Sequence, residues 1–156
     1  MFELDVPGFG AVRLEHLVSD FTGTLSVDGR LLPGVKERLD RIAGFLNLHI
    51  LTADTFGRAS EELEGVRCSM QILEGGRQDV QKEEYMKKLS AETVIAFGNG
   101  KNDRKMLEAA RVGVAACLAE GCATDAVTSA DILVTSITDG LDLLLKPKRF
   151  KATLRF

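Results

Sequence analysis

The chain has 156 residues, of which 45% are hydrophobic and 28% are charged, and its formal net charge is −3. A chain of this length can bury most of the surface that it exposes when unfolded, so we expect a single domain over residues 1–156. No apolar run approaches the roughly 20 residues of a membrane span, and the first residues carry acids where a secretory signal carries bases, which predicts a cytoplasmic protein without a membrane partner.

Short apolar runs alternate with helix-period segments along the chain, which is the pattern of βαβ units and a parallel sheet. Residues 1–14 depart from it and predict an N-terminal β-hairpin, and residues 24–32 predict a second hairpin with Asp28 and Gly29 in its turn. Strands are predicted over 14–20, 46–52, 66–73, 93–98, 111–116 and 131–136. Helices are predicted after Pro33, with Val35, Leu39, Ile42 and Ala43 on one face, and over 56–64, 79–89, 102–110, 121–128 and 138–145.

These elements predict a doubly wound, three-layer α/β fold with a parallel sheet. Its last eleven residues, 146–156, form a basic tail with five bases and no acid. The tail either packs on the surface or serves as an arm that covers a site or attracts an anion. The overall acidic balance gives no reason to expect a nucleic-acid partner.

The cysteines and histidines suggest no metal centre. Cys68, Cys117 and Cys122 form neither an even set nor a zinc spacing, and we expect them to be buried thiols. His49 lies in an apolar strand, where a core residue with hydrogen-bond partners is expected.

Polar residues follow three of the predicted strands. Asp20 begins DFTGT, Thr52 ends the second main strand, and the segment GNGKND occupies 98–103. In a parallel sheet ligands bind beyond the carboxyl ends of the strands, so we expect these groups to meet there. A carboxylate that attacks phosphorus forms an aspartyl phosphate and divides one hard displacement into two easier steps. Such a site also needs positive charge and aimed hydrogen-bond donors.

Asp20 is the predicted nucleophile of this site, and Lys82, near the start of a helix, is the predicted cation. Lys87 and Lys88 on the same helix are competing candidates. The residues predicted to bind phosphate are Gly23, Thr52, Ala53 and Lys82. Mg²⁺ prefers oxygen ligands in octahedral geometry and retains water. The predicted Mg²⁺ ligands are Asp20, the Thr22 carbonyl, Asn99 and Asp103.

The order DxTGT, LTAD, a lysine and GNGxND resembles the haloacid dehalogenase superfamily and, within it, the phosphorylation domain of P-type ATPases. More narrowly, it is similar to small prokaryotic proteins described as soluble P-type ATPases. The resemblance covers roughly residues 12–145. It implies a Mg²⁺-dependent phosphohydrolase in which Asp20 is the nucleophile, Thr52 binds phosphate, Lys82 stabilises charge, and Asn99 with Asp103 holds the metal.

Two positions depart from the pattern of the superfamily's phosphatases. Thr22 occupies the place of a second aspartate that acts as general acid and base, and this assistance is worth about 10²–10⁴ in rate. Thr22 should therefore also influence catalysis, by leaving the aspartyl phosphate long-lived. Asn99 replaces an aspartate, which should weaken Mg²⁺ binding. The alternative function is a phosphate- or metal-binding regulatory module with little turnover.

The spacing of the motifs leaves no room for a cap domain or an adenine pocket, because 32 residues separate Asp20 from Thr52 and 30 separate Thr52 from Lys82. ATPase activity is therefore doubtful, and the open site suits a bulky phosphorylated substrate or a neighbouring subunit acting as a lid. Asp54 either belongs to the phosphate motif or caps the helix that begins near Phe56. A dinucleotide fingerprint in GNGKND is disfavoured because Asp103 holds its third glycine position. A receiver domain is disfavoured because no acidic pair precedes the nucleophile.

Overall fold

The structure, a computed structural model, describes residues 1–54 and 57–156. Its strands are β1 (Phe2–Val6), β2 (Gly10–Leu14), β3 (His16–Ser19), β4 (Ser26–Val27), β5 (Arg30–Leu31), β6 (Asn47–Thr52), β7 (Ser69–Ile72), β8 (Val94–Gly98), β9 (Val112–Ala116) and β10 (Ile132–Val134). Its helices are α1 (Val35–Ile42), α2 (Ala59–Glu62), α3 (Gln78–Lys88), α4 (Arg104–Ala109), α5 (Thr124–Ser129), α6 (Ile137–Leu145) and α7 (Pro147–Leu154). Among these described helices, none is long and apolar enough to cross a bilayer.

Six parallel strands form the central sheet in the order β10-β9-β8-β3-β6-β7. β3 lies in the middle, where Leu17 and Val18 are buried on opposite faces, as expected of a strand covered on both sides. Ser19 at its end is in register with Ile50 of β6 and Phe97 of β8. The carboxyl ends of these three strands therefore meet at one edge of the sheet, and the predicted doubly wound α/β fold is confirmed.

Two apolar clusters cover the two faces of the sheet. One joins the first hairpin with α1, α6 and α7, through residues such as Val6, Leu39 and Phe150. The other joins the sheet to α3, α4 and α5, through residues such as Met86 and Leu107. The three layers form because helices on both sides bury apolar residues against the strands. α3 is the exception in composition, since it buries Asp79 and Lys82 together with Met86.

Both predicted hairpins are present. β1 pairs antiparallel with β2, so that Phe2 faces Leu14, and β4 pairs antiparallel with β5. The second turn contains Asp28 at φ 52° and Gly29 at φ 79°, the left-handed conformations that a tight two-residue hairpin requires.

Several predicted bounds were too long, and one helix was missed. The strand predicted over 66–73 is β7, an exposed edge strand of 4 residues. The helix predicted over 56–64 is reduced to α2, and Phe56 lies outside the described residues. The basic tail forms α7, which begins at Pro147 and buries Phe150 and Leu154. Its charged residues concealed this apolar pair, four residues apart, and the tail packs on the surface.

The prediction of buried thiols is wrong for Cys117, which is exposed in the loop after β9, whereas Cys68 and Cys122 are half-buried. The prediction for His49 is confirmed. Its ring is buried and both nitrogens have partners: Nε2 lies 3.0 Å from His16 Nδ1, and Nδ1 lies 3.0 Å from the Tyr85 hydroxyl.

Candidate active site

Asp20 is the first residue after β3 and is only 7% exposed. Its backbone N–H donates to the Phe97 carbonyl at 3.0 Å, which continues the pairing of β3 with β8 and fixes where the side chain starts. Burial raises the pKa of this carboxyl to about 7, and the nearby charge of Asp103 adds to the effect while Lys82 opposes it. The ionised carboxylate therefore depends on the positive charge that the site supplies.

Lys82 supplies such a charge from the middle of α3. Its Nζ atom is fully buried and lies 3.1 Å from Asp20 Oδ1 and 2.6 Å from Asp103 Oδ1. Burial lowers the pKa of Lys82, but the charges of the two carboxylates outweigh it and raise the pKa above its ordinary value. The competing candidates point elsewhere, since Lys87 is exposed and pairs with Glu83 at 3.2 Å, and Lys88 is also exposed.

Asp103 organises the loop that follows β8. Its Oδ2 atom accepts the N–H groups of Asn99 at 3.0 Å and Gly100 at 2.9 Å, while Oδ1 accepts from Lys82. Gly98 has no side chain where this carboxyl packs, and a Cβ there would lie 2.6 Å from Asp103 Cγ. Both carboxylate oxygens are thus already engaged. Direct ligation of a metal by Asp103 stays a prediction, and Oδ1, which accepts one hydrogen bond, keeps a second lone pair for it.

Asn99 faces Asp20 through its amide oxygen. The amide Nδ2 donates to the Gly121 carbonyl at 3.1 Å, which orients Oδ1 toward Thr24 Oγ1 at 3.2 Å. The Thr24 hydroxyl also lies 3.3 Å from Asp20 Oδ2, so the two acceptor oxygens share one hydroxyl. Gly23, at φ 78°, makes this approach possible because a Cβ there would lie 2.4 Å from Asn99 Nδ2.

Thr24 is a site residue that the sequence reasoning missed. It is fully buried, and its hydroxyl has only one proton to share between Asp20 and Asn99. The available signal was its place in the same DFTGT segment as the predicted nucleophile.

The oxygen atoms of this site fit a hard cation that keeps some of its water. Asp20 Oδ2 and Asn99 Oδ1 converge on one hydroxyl, and within residues 1–54 and 57–156 no hydrogen-bond donor reaches the Thr22 carbonyl. In that same part of the chain no group of three or more His, Cys, Asp and Glu side chains is arranged to hold a metal. A cation here would draw on the carboxylates of Asp20 and Asp103, the Asn99 amide oxygen, a backbone carbonyl and water, a set that suits Mg²⁺.

The predicted phosphate-binding segment lies at the end of β6, beside β3. Thr52 is buried, and its Oγ1 accepts the N–H of Asp54 at 2.9 Å, so its own proton is free to be donated. Ala53 follows as an exposed residue. The Asp54 Oδ1 atom accepts the N–H groups of Arg58 and Ala59, both at 2.9 Å, at the start of α2. This supports the capping alternative for Asp54.

The chain is similar to known proteins over much of its length. A family model described as haloacid dehalogenase-like hydrolase matches residues 51–137. An uncharacterized protein from Methanocaldococcus jannaschii is 42% identical over 73 residues, which are 47% of this chain and 78% of that protein.

Solved phosphatase structures share the fold at low sequence identity. The cobalt-bound deoxy-D-mannose-octulosonate 8-phosphate phosphatase from Haemophilus influenzae matches with a TM-score of 0.66 and 11% identity, over 92% of this chain and 94% of that one. A second match is the 3-deoxy-D-manno-octulosonate 8-phosphate phosphatase from Moraxella catarrhalis, in complex with magnesium, phosphate and KDO. Its TM-score is 0.58 and its sequence identity 19%, over 91% of this chain and 94% of that one. A phosphoserine phosphatase in its apo form matches with a TM-score of 0.63 and 13% identity, over 84% of this chain and 98% of that one.

Proposed function

The chain belongs to the haloacid dehalogenase-like hydrolases, whose family model matches more than half of its length, and we propose that it is a Mg²⁺-dependent phosphatase with Asp20 as its nucleophile. The observation that carries the proposal is the buried contact between Asp20 and Lys82, at 3.1 Å, beyond the carboxyl end of the central strand. A buried ionic group that opens toward a ligand-binding edge is typical of a functional site.

In the proposed reaction, an Asp20 carboxylate oxygen attacks phosphorus as the bond from phosphorus to the leaving alcohol oxygen breaks. Lys82 offsets the repulsion between the carboxylate and the phosphate, and Thr52 and Ala53 donate to phosphate oxygens. The leaving oxygen takes a proton from solvent. Water then attacks the phosphorus of the aspartyl phosphate as the bond from phosphorus to the Asp20 oxygen breaks, which releases inorganic phosphate, returns a proton to solvent and restores the Asp20 carboxylate.

The proposed metal-binding residues are Asp20, Asn99, Asp103 and Thr22, the last through its backbone carbonyl. When bound, Mg²⁺ supplies charge neutralisation and orientation of the phosphoryl group. Asp103 also has a positioning role, because its two oxygens hold Lys82 and the loop of Asn99. Support for Mg²⁺ also comes from the Moraxella catarrhalis phosphatase, whose structure contains magnesium and phosphate.

Slow turnover is part of the proposal. Within the described residues, the side chains that hydrogen-bond the Asp20 carboxylate are Thr24 and Lys82, and neither is a free carboxylic acid or histidine. Thr22, half-exposed at the position of the usual acid and base, cannot supply a proton at neutral pH. The same observation favours the second candidate, a phosphate- and metal-binding regulatory module. It also fits the resemblance to the phosphorylation domain of P-type ATPases, in which a persistent aspartyl phosphate is expected.

The proposed substrate is a phosphorylated molecule that enters an open site. Only the short hairpin of β4 and β5 stands between Asp20 and α1 in the chain. A neighbouring copy of the chain could complete the cover, and we propose association in a cytoplasmic homo-oligomer without a membrane or nucleic-acid partner.

Two measurements test the proposal. The first is hydrolysis of 4-nitrophenyl phosphate with Mg²⁺ and with a chelator. The second is the thermal unfolding midpoint with Mg²⁺ and beryllium fluoride, which forms a tetrahedral adduct on a nucleophilic carboxylate. We expect metal-dependent hydrolysis and a midpoint raised by about 5 °C. Asp20→Asn should lose at least about 10³-fold in hydrolysis and the whole beryllium fluoride shift.

Asp5→Asn is the matched control, because Asp5 is an exposed residue of β1 and should behave as wild type in both measurements. An Asp20-dependent shift without hydrolysis would establish the regulatory module. Hydrolysis and shift that both survive Asp20→Asn would contradict the proposed nucleophile.

A further inference from the structure

A cavity of about 380 Å³ opens between the loop after β7 and the turn after β8. Its size is in the range of small-molecule sites, roughly 300–1,000 Å³. β7 and β8 belong to the same parallel sheet, so the cavity lies at the edge where Asp20 lies. We call it the basic pocket, and the wall residues that matter are Gly76, Arg77, Asp79, Lys101, Asn102 and Arg104.

The basic pocket is linked to the active site through α3. Asp79 precedes Lys82 by three residues, so the two lie one helical turn apart on neighbouring positions of the helix. Lys82 contacts Asp20 at 3.1 Å. On the opposite wall, Asn102 donates to Gln78 at 3.3 Å and joins the turn after β8 to the start of α3.

Positive charge exceeds negative charge in this pocket. The Asp79 carboxylate is buried and lies 3.2 Å from Arg77 Nε, 3.0 Å from Arg104 Nη2 and 3.6 Å from Lys105 Nζ. Hydrogen bonding from Arg77, with the charge of Lys105, holds the pKa of Asp79 well below its usual range. One carboxylate thus faces three cations. A cluster that only needed to satisfy Asp79 would require fewer.

The two arginines are held in place with hydrogen-bond donors to spare. Arg77 gives Nε and Nη2 to Asp79, and Arg104 gives Nη1 to the Lys101 carbonyl and Nη2 to Asp79. Arg77 Nη1 and Arg104 Nε have no acceptor within the described part of the chain. A guanidinium group matches the paired oxygens of a carboxylate or phosphate, and one already fixed loses less freedom on binding.

The backbone keeps Arg77 at this position despite a left-handed conformation, φ 58°. Glycine would adopt it without strain, as Gly75, two residues earlier, does at φ 76°. Gly76 leaves the mouth of the pocket open, because a Cβ there would meet nothing within 4 Å.

We propose that the basic pocket binds a second anionic group of the phosphorylated substrate, a carboxylate or a second phosphate, while the first phosphate lies on Asp20 and Lys82. This inference rests on the proposed function. It names the substrate class as phosphate monoesters that carry another negative charge.

Binding of non-hydrolysable phosphonates tests the inference without requiring turnover. The probes are phenylphosphonate, its 2-, 3- and 4-carboxy derivatives, and the corresponding phenylene bisphosphonates, titrated calorimetrically in the presence of Mg²⁺. We expect at least one doubly anionic probe to bind about tenfold more tightly than phenylphosphonate. A carboxy derivative as the tightest ligand would assign a carboxylate, and a bisphosphonate would assign a second phosphate.

Two test variants and one control show whether the tenfold preference arises in the basic pocket. Gly76→Glu places a carboxylate at the mouth of the pocket and should abolish the tenfold preference, whereas Gly76→Gln, of the same size, should retain it. Arg77→Asn, a residue that tolerates the left-handed backbone, should reduce the preference to within about twofold. Phenylphosphonate affinity should stay within about twofold in all three variants.

Equal binding of all probes to the wild type would overturn the inference while phenylphosphonate binding left the proposed function standing. A preference that survived both Gly76→Glu and Arg77→Asn would overturn it as well. Absence of any phosphonate binding would contradict the proposed phosphate site, and with it the inference.

Discussion

Two polar clusters lie at different heights of the same sheet, and helix α3 contributes one residue to each. The ionic cluster, beyond the carboxyl ends of the strands, contains Asp20, Lys82 and Asp103. The neutral cluster, within the strands and one helical turn further along α3, contains His16, His49 and Tyr85.

The two clusters differ in how their buried polar groups are stabilised. In the neutral cluster His49 has a partner on each ring nitrogen, and burial, with the neighbouring His16, lowers its pKa to about 4. In the ionic cluster burial raises the pKa of Asp20 to about 7, and Lys82 must offset two carboxylates. The comparison indicates that position along a strand separates the structural polar cluster from the proposed active site, since ligands bind beyond the carboxyl ends of parallel strands.

Replacing Lys82 should give the largest loss of activity and stability. Lys82→Met leaves Asp20 and Asp103 buried without a counter-charge, and we expect phosphatase activity to fall by about 10³-fold. The free energy of unfolding should fall by about 3 kcal/mol, as measured by denaturant titration, because an unpaired buried charge is costly.

Lys87→Met on the same helix is the matched control. Lys87 pairs with Glu83 in solvent at 3.2 Å, so its loss should change stability by less than about 0.5 kcal/mol and leave activity unchanged. Equal effects of the two substitutions would mean that Lys82 is not the charge on which the ionic cluster depends.

The steady-state rate of hydrolysis should increase when a proton donor is added to the ionic cluster. Thr22 is half-exposed near the open edge, so an aspartate can be accommodated there. We expect Thr22→Asp to raise the steady-state rate by about 10²-fold, through acid assistance to the leaving group and base assistance to water. Thr22→Asn, of similar size, should give no gain. A gain of the same size from both variants would show that proton transfer does not limit the rate.

The neutral cluster should reveal itself in the pH dependence of stability. An unfolded histidine has a pKa near 6.5 and folded His49 one of about 4, so between these values the unfolded state binds more protons. The stabilisation is complete above pH 6.5 and is lost as the pH falls toward 4, by roughly 2 kcal/mol. The facing titratable groups are His16 and Tyr85, with Glu15 beside His16.

The measurement is the difference between wild type and His49→Gln in the free energy of unfolding from pH 4 to 7. Asp20, whose pKa is raised in both proteins, makes the free energy of unfolding change with pH in the opposite direction. Taking the difference between the two proteins removes this contribution. Parallel curves between pH 4 and 6.5 would show that His49 is not held neutral by the fold.

Those parts of the candidate site that depend on strand ends and on the order of the motifs could be predicted from the sequence. Asp20 and Thr52 end neighbouring strands, and parallel pairing brings such ends together. Lys82 was distinguishable from Lys87 only by its place near the helix start, and burial now separates them. Its partner Asp103 serves as a counter-charge and as an acceptor for two N–H groups, a double use that the spacing alone does not reveal.

The sequence failed where local charge conflicts with tertiary packing. For the basic tail, surface packing was among the predicted alternatives but a helix was not, and Phe150 and Leu154, one turn apart, pack onto the core as α7. Thr24 was overlooked for a related reason, because a hydroxyl in a turn usually satisfies the local backbone. In this fold it instead reaches Asn99, 75 residues further along the chain.

The smallest effect should come from Tyr85→Phe, which removes the hydroxyl that lies 3.0 Å from His49 Nδ1. One lost hydrogen bond in a half-buried cluster should cost about 1 kcal/mol of unfolding free energy. Activity should stay within twofold of wild type, since Tyr85 contacts neither Asp20 nor Lys82 although it lies one turn from Lys82 on α3. A loss of activity above about tenfold at unchanged folding would mean that α3 couples the two clusters, and the neutral cluster would then act in positioning Lys82.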